Sequence, residues 1–494
     1  DREKGYWRRG FPCITGTGKC NLQRVLLRYS VSRTGIGRNR KMKKFEKGFL
    51  VGASTAAHQV EGNNIHSDRW AMEHMKHTTY AEPSLDADDE YHRYEEDIRL
   101  LAGAGLNAYR FSIEWARIEP EEDCFDMEEI EHYRKVLRCC RENNIEPIVT
   151  LHHFSSPAWL MGKGGWEADT TAEDFAEYVK VVMENLGSEM NYVCTINEAN
   201  MGVQIMAVVR QMLQERGLEQ DGGNSTGQSL DGTVQMGVDI KKLMMGSPEK
   251  QKENTEVFGV PDPATFQLPR TAHGDEIIQE AHRKARSVIR KICPHVKVGW
   301  TLSLFDIQAL PGGEKAAREA WEEEFLHYLP VMEEDDFIGV QNYTRALYDK
   351  NGSVPAAEDA EKTQMGYEFY PQGLAEVIRR VAREFHGDIL VTENGIATSD
   401  DCRRIAFIDT AVAGVQKCIE EGIPVRAYMH WSLLDNFEWQ KGYSMTFGLI
   451  AVDRTTQKRM PKPSLSHLGD YCSGLELNRE NLPGKGRVSW NIKK

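Results

Sequence analysis

The chain has 494 residues, 40% hydrophobic and 28% charged, the balance of a globular enzyme with a large core. A formal net charge of −14 excludes nucleic acid and anionic membrane as principal partners, because both select basic surfaces. No apolar run approaches the roughly 18 residues of a membrane span, and the stretch around Val25–Leu27 is too short for a secretory signal.

Residues 1–41 hold eleven Lys/Arg against two acidic residues and show no hydrophobic period. Met42 then opens MKKFEKGFLVGAST like a natural start. This basic leader is read as a vector-derived or upstream-frame segment, with an Arg-rich transit peptide as the alternative. TGTGKC at 15–20 has the wrong glycine spacing for a phosphate loop, and Cys20 stands where Ser/Thr would hold magnesium. The ten cysteines lack metal-site spacing and Cys139–Cys140 are adjacent, so most are expected to be buried thiols in a reducing cytoplasm.

From residue 48 onward, eight β-rich runs alternate with helical patterns: 48–55, 107–115, 146–154, 191–199, 297–305, 336–344, 388–395 and 425–433. Their near-continuous apolar character fits strands covered on both faces. Helices are expected at 90–105, on the spacing of Tyr94, Ile98, Leu100 and Leu101, and at 373–387, ending on Gly387. The pattern predicts an α/β fold, a single (β/α)8 TIM barrel over 42–475, followed by a tail at 476–494. Barrels of this kind carry their chemistry at the strands' C-terminal ends. Residues 215–270, rich in Gly/Ser/Asn/Gln and then in charge, break the rhythm after strand four. They are expected to form a long insertion without secondary structure, a lid over the active-site face.

Two strings end strands four and seven with a glutamate: TINEAN at 195–200 with Glu198, and VTENG at 391–395 with Glu393. Two carboxyl groups converging on one bond equip a glycosidase. Retention of configuration needs them roughly 5–5.5 Å apart, one as nucleophile and one as acid then base. Arg110, on strand two, can keep the nucleophile ionised, and Tyr343, after strand six, can donate to it. Asn394-Gly395 could by itself signal a hairpin. Matching glutamates on two strand ends, with an arginine and a tyrosine on others, outweigh that reading. In HWSLLDNFEWQKGYSMTFGL (430–449), Trp431, Trp439 and Phe447 offer flat apolar faces for a pyranose, and Glu438 accepts hydroxyls. Gln59, His153 and Asn197 add hydrogen-bonding groups beside strand ends.

On these motifs the chain from about 44 to 472 resembles the family 1 glycoside hydrolases, the β-glucosidase family. The resemblance implies an (α/β)8 barrel, net retention, and neither cofactor nor metal. Matched by position, it makes Glu198 the acid/base, Glu393 the nucleophile, Arg110 and Tyr343 its tuning groups, and Asn197 the holder of the 2-hydroxyl. Gln59, His153, Trp431, Glu438 and Trp439 would bind the terminal sugar. The chain departs from the family at Ala199, where proline is usual, at Phe154 and Ser155-Ser156, and at Gln341-Asn342. Ala199 leads to the expectation of a less rigid turn around the acid.

The function expected is that of a retaining β-glucosidase acting on terminal β-D-glucosyl residues, with β-galactosides and β-fucosides as further substrates. Its partners are small-molecule β-glycosides or oligosaccharides, and a homo-oligomer stays open. A 6-phospho-β-glycosidase is the rival enzyme, disfavoured because Glu438 would repel a phosphate. A non-catalytic sugar-binding protein on the same barrel is the other alternative, disfavoured because both glutamates are present.

Overall fold

The computed structural model describes residues 43–215 and 247–474. The leader 1–41, the middle of the insertion (216–246) and the tail 476–494 lie outside the described residues.

All eight expected strands are present. They are β1 (Leu50–Ser54), β2 (Ala108–Ser112), β3 (Glu146–Thr150), β4 (Tyr192–Cys194), β5 (Lys297–Gly299 and Thr301–Ser303), β6 (Phe337–Gln341), β7 (Asp388–Asn394) and β8 (Val425–Trp431). Each pairs in parallel with its neighbours, and β1 lies between β2 and β8. The ring closes through β5, which is split at Trp300. Its first half pairs with β4 and its second with β6. β1, β2, β3 and β6 are buried along their whole length, which explains their unbroken apolar pattern.

The inward faces change character along the barrel. Leu50, Ala108, Ile148, Cys194, Phe337, Leu390, Ala427 and Met429 pack together as one apolar cluster. Two or four residues further along the same faces stand Ser54, Arg110 and Trp431, which share one level in the register. An apolar plug thus lies beneath a polar mouth. Gly52 permits the tight ring here, since a Cβ would fall 1.9 Å from the Ala108 carbonyl oxygen.

Eight principal helices surround the ring: α1 (Glu90–Gly103), α2 (Met127–Glu142), α3 (Thr171–Leu186), α4 (Met201–Glu215), α5 (Ala272–Ile292), α6 (Glu314–Glu324), α7 (Gly373–Val381) and α8 (Asp401–Glu420). α1 ends where its glycines predict, with Gly105 at φ +90°. α7 stops six residues before Gly387. There Arg383 and Glu384 bond carbonyls three residues back, tightening the chain out of the α-helix.

The second half of the expected insertion is not structureless. Pro248–Phe258 is a helix, capped by Ser247, started by Pro248 and ended by Gly259 at φ +78°. Glu253 on this helix accepts from the backbone N–H groups of Lys76 and His77. Phe266 beyond it packs on His152, Phe154 and Trp166. Cys139, Cys140, Cys194, Cys293, Cys418 and Cys472 are buried free thiols. Among the described residues no helix is long and apolar enough to cross a membrane.

Candidate active site

The polar mouth is organised around two carboxyl groups. Glu393 lies in β7, level with Gln341 of β6. Its Oε1 accepts from Arg110 Nη1 at 2.6 Å and Gln341 Nε2 at 2.9 Å, and its Oε2 accepts from the Tyr343 hydroxyl at 2.5 Å. Burial pushes this carboxyl up from its ordinary range, while the Arg110 cation and the Tyr343 hydrogen bond pull it back towards the ionised form. The two residues after it make no hairpin. Asn394 is fixed by the Asn342 carbonyl and the Tyr428 hydroxyl. A Cβ on Gly395 would meet the Trp431 carbonyl oxygen at 2.0 Å, so this glycine lets β7 close against the end of β8.

Glu198 is held differently. It follows β4 in a left-handed conformation, φ +44°, which costs a non-glycine residue on the order of 1–3 kcal/mol and persists only where neighbours enforce it. The neighbours are in β5. The Glu198 N–H donates to Thr301 Oγ1 at 2.8 Å, and the Ala199 N–H donates to the Thr301 carbonyl at 3.0 Å. Proline at 199 could not make that second bond. The looser turn expected from Ala199 is therefore not what the structure shows. Glu198 Oε2 is buried without a hydrogen-bond partner. Burial, then the Glu393 charge, raise this carboxyl well above the usual range against the opposing Arg110 and Ser303. Burial raises both carboxyls, and Glu198, which lacks the close Arg110 and Tyr343 contacts of Glu393, is raised the further of the two.

Asn197 lies between them. Its Oδ1 accepts from Arg110 Nη2, from Gln341 Nε2 at 2.8 Å and from Thr301 Oγ1 at 3.0 Å, and its amide reaches His153 Nε2 at 3.2 Å. Burial holds His153 well below its ordinary pKa, so its neutral ring can accept at Nε2 and leave Nδ1 unpartnered.

The remaining predicted residues line the same mouth. Gln59, on the short helix Ala57–Val60 after β1, donates to the Phe437 carbonyl at 2.7 Å and to Glu438 Oε2 at 3.3 Å, with its own Oε1 unpartnered. Burial pushes Glu438 up to about 8 despite its bonds from Asn436 and Gln59. Trp431 ends β8 with a cis peptide to Ser432 and stacks on His153 at 5.6 Å. Phe447 meets Tyr343 edge-on and shares an apolar cluster with Trp431 and Tyr367. Trp439 is only 2% exposed; it stacks flat on His58 and meets Phe154 edge-on. Phe154, Glu198 and Trp439 all have positive φ, so backbone strain gathers at this mouth.

Three participants are absent from the sequence reading: Gln341 as a donor to both Glu393 and Asn197, Thr301 as the tie of the acid's turn, and Tyr367. Tyr367 carries a buried unpartnered hydroxyl, feels the charges of Glu438 and Glu198, and also lines a cavity of about 480 Å³ between α4, α6 and the 345–354 hairpin. Gln341 was visible only as a departure from a motif.

The sequence profile of Glycosyl hydrolase family 1 matches residues 41–212 and 325–473. The chain belongs to this family. Family 1 relatives include β-glucosidase A of Thermotoga maritima, 30% identical over 482 residues, covering 86% of this chain and 96% of the relative. The 6-phospho-β-galactosidase of Leptotrichia buccalis is 28% identical over 487 residues, covering 85% and 97%. Among solved structures, the β-glycosidase BGL167 superposes with a TM-score of 0.75 at 42% identity, covering 90% of this chain and all of that one. The part of this family 1 chain that the profile leaves unmatched, 213–324, contains the 215–270 insertion as well as β5.

Proposed function

We propose that the protein is a retaining β-glucosidase acting on neutral terminal β-glucosyl residues, with β-galactosides and β-fucosides as secondary substrates. One observation carries the reading: Glu393 is gripped by three donors, while Glu198 presents an unpartnered oxygen and is raised by burial and the Glu393 charge. In the first step Glu393 attacks the anomeric carbon as Glu198 protonates the departing oxygen. Formation of the glycosyl ester removes the Glu393 charge that raises Glu198, so Glu198 then serves as base for the incoming water. Asn197 holds the 2-hydroxyl, and Gln59, His153 and Glu438 supply hydrogen bonds to the glycone over Trp431. Trp439 backs this surface through His58, and Phe447 backs Tyr343. The unphosphorylated glycone is favoured because the buried Glu438 carboxyl supplies no positive charge to balance a 6-phosphate, protonated or not. A relative named as a bifunctional β-D-glucosidase/β-D-fucosidase, from Bifidobacterium breve, supports the wider glycone range.

The test is initial rates on aryl β-glucoside, β-galactoside, β-fucoside and 6-phospho-β-glucoside, with Glu393→Ala as control and product anomers followed by NMR. Turnover of the neutral sugars, lost in the control and releasing the β-anomer first, is expected. Preferential turnover of the phosphorylated sugar, or release of the α-anomer first, overturns the reading.

A further inference from the structure

The split strand β5 does more than close the ring, for its second half grips the turn that carries the acid. Thr301 is completely buried, and its hydroxyl faces two ways. It accepts from the Glu198 N–H at 2.8 Å and donates to Asn197 Oδ1 at 3.0 Å. Its backbone adds a bond from the Ala199 N–H and one to the Ile196 carbonyl. Two residues on, Asn200 brackets the Ser303 backbone, accepting from its N–H at 3.0 Å and donating to its carbonyl at 2.7 Å. Every residue from Ile196 to Asn200 is thus tied to β5. Asn197 keeps two further donors, Arg110 and Gln341, if the Thr301 hydroxyl is lost. The Glu198 N–H has no other partner of that kind, and a buried donor left unmet is costly.

We propose that Thr301 is a positioning residue for Glu198, its single hydroxyl fixing the acid and the sugar-binding Asn197 in one frame. This rests on Glu198 being the acid/base. A hydrophobic side chain of equal shape at 301 releases the strained turn. The carboxyl then loses its aim at the departing oxygen, while the Glu393 corner, built on β2, β6 and β7, keeps its geometry. The defect is selective: a poor leaving group needs the acid and a good one does not.

The experiment measures kcat/KM of Thr301→Val and Thr301→Ser on cellobiose and on 2,4-dinitrophenyl β-glucoside, with Glu198→Gln alongside. In Thr301→Val, cellobiose turnover is expected to fall roughly 10- to 100-fold, with a loss on the dinitrophenyl substrate about ten-fold smaller. Thr301→Ser, which keeps the hydroxyl, restores both. Equal losses on the two substrates, or no loss, overturn the proposal, because a merely structural role lowers both in step. If Glu198→Gln itself impairs both substrates equally, the acid/base assignment fails and this proposal with it. If Glu198→Gln is leaving-group dependent and Thr301→Val is not, only the positioning role fails. Should Thr301→Val not fold, Thr301→Cys, close in size and weaker in both bonds, is judged by the same criteria.

Discussion

The two glutamate corners are held by opposite means. At Glu393, the proposed nucleophile, three side chains converge on the carboxyl oxygens, one from β2, one from the end of β6 and one just beyond it, so the group is fixed and charge-compensated through its own atoms. At Glu198, the proposed acid, the grip is on the backbone, and one carboxyl oxygen is left open among the described residues. The difference follows from the chemistry. A nucleophile must stay ionised in a buried site, which requires charged and hydrogen-bonding neighbours. An acid that later turns base must change protonation during the cycle, so strong donors on its carboxyl would work against it. Placement through the main chain leaves its proton free to move.

The largest break in this comparison is Glu393→Ala, which on the proposed mechanism removes the covalent step and is expected to lower kcat by about 10⁴-fold or more. Fluorescence assays on an aryl glucoside check it. Arg110→Met comes next, with an expected loss of about 10²- to 10³-fold in kcat/KM. Its pH profile sharpens the argument. Arg110 lowers both glutamates, so its removal moves the acidic and alkaline limbs of the kcat/KM profile to higher pH. Limbs that stay in place would show that Arg110 acts only sterically. Tyr343→Phe touches the nucleophile corner alone. A loss of roughly ten-fold is expected, with the acidic limb raised and the alkaline limb moved far less.

The smallest effect lies behind the acid corner. Glu324 on α6 is buried, accepts from Gln204, and is pushed up to about 8 by burial. Its folded-state value exceeds the ordinary carboxyl value of 4.5, so its contribution to stability is present below that value and is lost as pH rises towards about 8. Glu324→Gln should therefore flatten the decline in Tm between pH 5 and 8, by about 1–3 °C. An unchanged slope in a calorimetric pH series would contradict this.

Much of this architecture was readable in the sequence because the barrel writes it locally. Each strand is a short, largely buried apolar run, and the two glutamates lie in or just beyond the ends of two of them. Gly105 closed α1 as expected from its position alone. The charged run 248–258 concealed a helix, since its composition resembled a solvated loop; the Ser247-Pro248 start was the signal available. Gln341 and Thr301 were harder for a different reason. Their roles depend on which strands face one another across the ring, and no spacing along the chain encodes that. The gap at Trp300 was hidden likewise, because 297–305 reads as one continuous strand.

That gap places two tasks on one short segment. The two halves of β5 join β4 to β6, and the same few residues also steady the acid's turn. Ring closure and the placement of Glu198 therefore share one latch. If warming or denaturant first loosens this seam, cleavage of glycosides with poor leaving groups should fade while activated aryl glycosides are still processed. Substrate choice would then report the integrity of the scaffold before any spectroscopic sign of unfolding.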